Sequence, residues 1–162
     1  MKQHIEHKIA DQEELLRMLA RWRFRDQRIV FTNGCFDLIH RGHIEYLVQA
    51  RALGDHLVVG LNTDDSVKRL KGAHRPIKDL DTRLHVLASF VFVDAVISFN
   101  EDTPMELIRT LRPDVLVKGG DWKPEQIVGG EFVQSYGGEV MSLPFVEGYS
   151  TTLLEEKIRS RK

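Results

Sequence analysis

Hydrophobic positions change period along the chain. From residue 27 onward, short β-branched apolar runs alternate with longer segments whose apolar residues recur at three- and four-residue spacing. A parallel sheet covered by helices reads this way, because its strands are buried on both faces while each helix buries one stripe. The runs predict strands over 28–32, 56–61, 95–99, 115–117 and 139–143. The fold class is therefore α/β, an open sheet of five parallel strands with helices on both faces.

Ahead of the first strand Leu15, Met18, Leu19 and Trp22 recur at i, i+3, i+4 and i+7, and Asp11 and Glu14 stand at capping-box spacing. They predict a helical extension over 1–26 ahead of a core over 27–162. Ile44, Leu47 and Val48 mark an inward stripe on the helix after the first strand, which Gly54 is placed to end in the left-handed conformation. Leu84, Leu87 and Ala88 form another stripe. In Thr103-Pro104-Met105-Glu106 the pattern predicts a Thr cap, Pro at the first helical position and Glu completing a capping box, with Pro113 stopping that helix. No repeat, low-complexity tract or Pro/Ser-rich linker divides the chain, so a single domain over 1–162 is expected.

Composition narrows the function classes. With 23 basic and 24 acidic residues the net charge is −1, so bulk charge attracts no polyanion and nucleic acid is not an expected partner. Cys35 is the only cysteine, which removes an intrachain disulfide and a multi-cysteine zinc site and fits a reducing compartment, the cytoplasm. The best apolar stretch, 86–93, is interrupted by Ser89 and stopped by Asp94, well short of the roughly 18 residues that span a bilayer. The first twelve residues alternate charges where a signal peptide needs an apolar block. Neither secretion nor a membrane partner is expected.

In open parallel sheets ligands bind at the carboxyl ends of the strands. The first strand runs into Thr32-Asn33-Gly34-Cys35-Phe36-Asp37-Leu38-Ile39-His40-Arg41-Gly42-His43. Neither a dinucleotide-binding glycine fingerprint nor a P-loop is present. Instead His40 and His43 flank the mouth of a helix, and Gly42 lets a bulky group approach the backbone. Two imidazole donors beside free N–H groups suit a phosphate that gains charge during reaction. Two histidines fall short of a zinc ligand set. Far downstream, Ser150, Thr151 and Thr152 open the last helix. Their hydroxyls either hold phosphate oxygens or cap that helix, since Thr152 and Glu155 also have capping-box spacing. After the fourth strand, Lys118-Gly119-Gly120-Asp121-Trp122 offers a cation and close backbone approach.

The run from Asn33 to Asp37 followed by His40-Arg41-Gly42-His43 resembles the signature of the HxGH nucleotidyltransferase superfamily, and Gly148 to Thr152 resembles its second element. The segment after Val117 is similar to the cytidylyltransferase loop that closes over the nucleotide. From Arg28 to Ile158 the chain resembles the ADP-heptose synthase branch, through Phe31 to Asp37, Arg69 to Gly72, Arg75-Pro76-Ile77, Asp114 to Gly120 and Leu143 to Thr152. The resemblance implies a Rossmann-like, cytidylyltransferase-like fold and adenylyl transfer from ATP to D-glycero-β-D-manno-heptose 1-phosphate, releasing pyrophosphate. It implies a stand-alone form, because no kinase half fits in the 27 residues ahead of the first strand.

On the same resemblance His40, His43 and Lys71 are catalytic, and Asn33, Gly34, Cys35, Phe36, Gly42, Lys118, Gly119, Asp121, Ser150, Thr151 and Thr152 join both histidines in holding the nucleotide. Lys71 and Arg83 stand beside the transferred phosphates, and Asp37 positions either the sugar or a metal-bound water. Mg²⁺ is expected on the triphosphate, with mostly water and phosphate ligands. The branch also implies a homo-oligomer, a dimer or larger. Two alternatives stay open: glycerol-3-phosphate cytidylyltransferase or another transferase of the superfamily, and a nucleotide-binding module without catalysis.

Overall fold

The computed structural model describes residues 2–120, 122–144, 148–149 and 151–160, the backbone alone at 2, 152, 153 and 159. Five strands form one sheet: β1 (Ile29–Gly34), β2 (His56–Asn62), β3 (Ala95–Phe99), β4 (Val115–Gly119) and β5 (Glu139–Leu143). All pairs are parallel and the order is β3-β2-β1-β4-β5. This is the α/β arrangement expected from the apolar runs, with β1 and β4 each extended by two residues into the polar segments that follow.

Alternate residues of each strand feed two cores. Phe31, Val58, Ile97 and Leu116 face one side, covered by α2 (Gln12–Phe24), α6 (Met105–Leu111) and α7 (Gly130–Ser135). Val30, Val59, Val96 and Val117 face the other, covered by α3 (Arg41–Arg51) and α5 (Leu80–Ala88). Burial on both faces explains why the strands read as continuous apolar runs.

The amino-terminal extension holds two helices, α1 (Lys2–Glu6) and α2, where the sequence pattern indicated one. The Asp11–Glu14 capping box at α2 is formed as expected. Between the helices Ile9 bridges to Val96, with Ala10 N–H donating to the Val96 carbonyl and Val96 N–H to that of Lys8. The extension thus covers the free edge of β3, a position that otherwise invites pairing with another chain.

Three local expectations are corrected. The inward face of α3 is Tyr46, Leu47 and Ala50, whereas Ile44 and Val48 are 38% and 45% exposed. Gly54 is not left-handed; the helix ends at Arg51 with Ala52 as its cap, and a Cβ at Gly54 would lie 2.7 Å from Val30 Cγ2. Close approach to β1 is what requires glycine there. Finally, α6 starts at Met105 with Pro104 as its cap, and Thr103 makes no capping bond. Pro104 O already accepts the N–H of Ile108, so Thr103 stands outside the helix.

Candidate active site

The strand order reverses at β1, which has β2 on one side and β4 on the other. β1 stays paired with β2 as far as Gly34 but registers with β4 only at Val30 and Phe31. Beyond that point β1 and β4 part, and a crevice opens at their carboxyl ends, where open α/β sheets bind ligands. Tyr46 spans the parting strands. Its hydroxyl pairs with Thr32 Oγ1 of β1 at 2.5 Å and donates to the Val117 carbonyl of β4 at 3.3 Å. Burial pushes the Tyr46 pKa up to about 12, so the phenol remains a donor.

A cavity of about 530 Å³ occupies the crevice, within the size range of small-molecule sites. Among its walls are ten of the residues singled out from sequence: Asn33, Gly34, Cys35, Phe36, Asp37, His43, Lys71, Lys118, Gly119 and Thr151. His40 and Gly42 stand beside it. The imidazole centroids of His40 and His43 are 3.9 Å apart. Gly42 is enclosed: a Cβ there would lie 3.0 Å from His40 Nδ1 and 3.2 Å from Tyr149 Cβ. The turn before α8 (Thr151–Arg159) thus closes on the head of α3. Phe36 holds a left-handed backbone, φ 45°, and its ring tilts against His43 at 5.5 Å. A bulky residue rarely adopts that conformation, so the loop after β1 is held in shape by its surroundings.

Both histidines are biased toward the neutral form. Burial, helped by the nearby His40 and Lys71, pushes the His43 pKa down to about 4, and burial also lowers that of His40. His40 Nδ1 is buried with no hydrogen-bond partner among the described residues. Lys118 is half-buried, and burial lowers its pKa while Cys35 acts in the opposite direction. No described residue forms a hydrogen bond or salt bridge with the ammonium of Lys71 or Lys118.

Arg83 and Asp37 stand differently. Arg83 is 1% exposed and donates to the carbonyls of Lys78, Cys35 and Asn62 and to the Asp64 carboxylate at 2.7–3.0 Å. It fastens the ends of β1 and β2 to the heads of α4 (Asp64–Lys71) and α5. Asp37 is 4% exposed and accepts from Arg75 Nη1 at 2.6 Å and from the N–H groups of Ile77 and Lys78. Burial alone would raise its pKa, but these bonds prevail and hold it below the usual carboxylate value. Arg75, 8% exposed, also pairs with Glu155 of α8, tying the loop after β1 to the last helix. Asp121 and Ser150 lie outside the described residues, as does the Thr152 side chain.

Among the described residues no group of three or more His, Cys, Asp or Glu side chains could hold a metal ion. Both Asp37 oxygens are engaged, by Arg75 and by the N–H groups of Ile77 and Lys78. The motif reading did not single out Tyr46, Asn62, Asp102 or Gln126, and it quoted Arg75 only within a matching stretch, without a role. Asn62 carried a usable signal, a polar residue closing an apolar strand at its carboxyl end; the others have no local signature.

Residues 31–157 match the cytidylyltransferase-like family model, and the chain belongs to that family. Among curated relatives it is similar to the Bifunctional protein HldE of Koribacter versatilis, 57% identical over 150 residues, which is 93% of this chain and 31% of that protein. The Bifunctional protein HldE of Pseudomonas paraeruginosa is 54% identical over 160 residues, 99% of this chain and 34% of that protein. The chain therefore spans about a third of the length of the curated relatives it matches.

The crystal structure of the lipopolysaccharide core biosynthesis protein from Thermoplasma volcanium superposes with a TM-score of 0.60 at 30% identity, covering 76% of this chain and 99% of that one. Pantoate-beta-alanine ligase from Francisella tularensis shares the fold, with a TM-score of 0.60 at 16% identity over 93% of this chain and 76% of its own. No helix among the described residues is long and apolar enough to cross a membrane.

Proposed function

We propose that the chain transfers an adenylyl group from ATP to D-glycero-β-D-manno-heptose 1-phosphate, giving ADP-heptose and pyrophosphate, a cytoplasmic step toward the lipopolysaccharide inner core. The observation that carries the reading is the neutral His40–His43 pair at the head of α3, beside a crevice of the cytidylyltransferase-like fold. Support for the sugar comes from similarity to the HldE proteins and to a protein named for lipopolysaccharide core biosynthesis.

An oxygen of the sugar phosphate attacks the α-phosphorus of ATP, and the bond from that phosphorus to the bridging oxygen of pyrophosphate breaks. The nucleophile is already ionised, so no general base is required. The protein's part is alignment and stabilisation of charge on the non-bridging oxygens. His43 donates from its ring to these oxygens and His40 assists from the adjacent position. Lys71 carries positive charge to the α-phosphate, and Lys118 and the head of α8 at Thr151 hold the nucleotide. Mg²⁺, when bound with the nucleotide, would supply further neutralisation of phosphate charge.

Arg83 and Asp37 act through structure in this scheme, holding in place the loops that present His40 and Lys71. The active form is a homo-oligomer, for which Phe24 and Val91, more than nine-tenths exposed, are apolar side chains available for burial. The test is pyrophosphate release with ATP or CTP, using heptose 1-phosphate or glycerol 3-phosphate as acceptor.

A further inference from the structure

The cavity crosses the carboxyl edge of the sheet, and its two ends differ chemically. His43 and Thr151 stand where α3 and α8 begin, and α3 packs on one face of the sheet. Asp102, Ile127 and Val128 belong to the opposite side, where α6, Ile127 and α7 share the other core. The first end has helix amino termini at hand, with lysines that no described residue pairs, and suits phosphates. At the second end the lining residues include Gln126, Val128 and Asp102, and the half-exposed Trp122 also lines the cavity.

An aromatic ring beside hydrogen-bonding side chains is the chemistry that a sugar requires. Its C–H face packs on the ring and its hydroxyls donate to a carboxylate. These walls are also held in place. Trp122 donates from Nε1 to the Gly119 carbonyl at 3.0 Å and from its backbone N–H to Ser142 Oγ at 3.1 Å. Arg69 Nε donates to Asp102 Oδ1 at 2.8 Å and its guanidinium also binds the Asn100 carbonyl. Thr63 Oγ1 donates to Asn100 Oδ1 at 2.6 Å, and Ser66 Oγ to the Glu101 carbonyl at 3.1 Å. Loop 100–104 is therefore braced from α4 and its cap, while Asp102 Oδ2 has no partner among the described residues.

We propose that this second end is the subsite for the polyhydroxylated part of the acceptor, and that Asp102, oriented by Arg69, is its specificity-determining residue. The inference rests on the adenylyl-transfer reading above and names the part of the site that selects the sugar. A carboxylate in this place rewards hydroxyls that donate to it. It also opposes an acceptor that would bring a second negative group or an unmatched apolar tail, so it discriminates in both directions.

The experiment compares steady-state kinetics of the full chain and its Asp102→Ala and Arg69→Ala variants, varying heptose 1-phosphate at saturating ATP and then ATP at saturating acceptor. Both side chains are largely exposed, so the melting temperatures should stay near wild type. Asp102→Ala is expected to raise the KM for heptose 1-phosphate about ten-fold or more with the KM for ATP unchanged, as loss of a sugar hydrogen bond to a charged group requires. Arg69→Ala is expected to act in the same direction and less strongly. An unchanged acceptor KM in Asp102→Ala, or an equal rise for ATP, overturns the subsite while leaving adenylyl transfer intact. No pyrophosphate release by the wild type with heptose 1-phosphate overturns the adenylyl-transfer reading and this inference with it.

Discussion

His43 Nδ1 accepts the backbone N–H of His40 across 3.4 Å, within the first turn of α3. A neutral imidazole whose Nδ1 accepts carries its proton on Nε2, so this bond, though long, selects the tautomer that presents a ring N–H donor. In adenylyl transfer such a donor acts on charge that develops in the transition state. Removing one donor of this kind typically costs about 10²–10³ in kcat. His43→Ala is therefore expected to melt near the wild-type temperature and to lose turnover by that factor. Wild-type turnover in a folded variant would remove His43 from the mechanism.

Acid should weaken the fold through the same residue. A histidine in the unfolded chain titrates near 6.5, whereas the pKa of folded His43 is about 4. Between these values the unfolded state binds a proton that the folded state does not, so the stability present above pH 6.5 declines as pH falls toward 4. Asp37 adds to the loss at lower pH: its folded pKa is depressed, so its contribution disappears as the carboxylate is protonated. Thermal melts at pH 7 and pH 4.5 should show a smaller fall for His43→Ala than for wild type. NMR titration of the ring protons should place His43 near 4, and a midpoint near 6.5 would contradict the buried, neutral assignment.

Arg83 and Lys71 should separate structure from chemistry. Truncating Arg83 leaves three carbonyls and Asp64 without their shared donor. The expected cost is about 3 kcal/mol or more, read as a lowered midpoint in urea. Lys71 is exposed, lines the cavity and binds no described residue, so Lys71→Ala should retain the urea midpoint and lose turnover. Equal loss of stability in both variants would reject the distinction.

At Cys35 the backbone carbonyl holds the structure, by accepting from Arg83 at 2.7 Å. The thiol's one hydrogen-bond contact among the described residues is with Asn62 Oδ1 at 3.9 Å. Cys35→Ser preserves size and the carbonyl, so it should retain wild-type kcat in the pyrophosphate-release assay. Inactivity of that variant with its fold preserved would indicate a covalent role for the thiol.

The five strands were legible because burial on both faces makes them apolar throughout, and the Asp11–Glu14 cap because it is local. Strand order was not, since pairing between β1 and β4 links residues more than eighty positions apart. The α3 stripe was misplaced because Tyr46 and Ala50 are weaker apolar signals than Ile44 and Val48, although a hydroxyl that bridges Thr32 and Val117 is what the interior required. His40, His43 and Lys71 were found through their motifs. Arg83 was recognised as a basic residue, but its four partners come from the ends of β1 and β2 and the heads of α4 and α5, and no spacing reveals that. The carboxylate of Asp102 has no motif at all and becomes visible only when loop 100–104 is seen to wall the crevice.

Pyrophosphate release measured with each nucleoside triphosphate against heptose 1-phosphate and glycerol 3-phosphate tests the central proposal most directly. ATP with heptose 1-phosphate is predicted to give turnover and ADP-heptose, with the other three pairings far slower. Turnover confined to CTP with glycerol 3-phosphate, or nucleotide binding with no pyrophosphate released from any pairing, would contradict it.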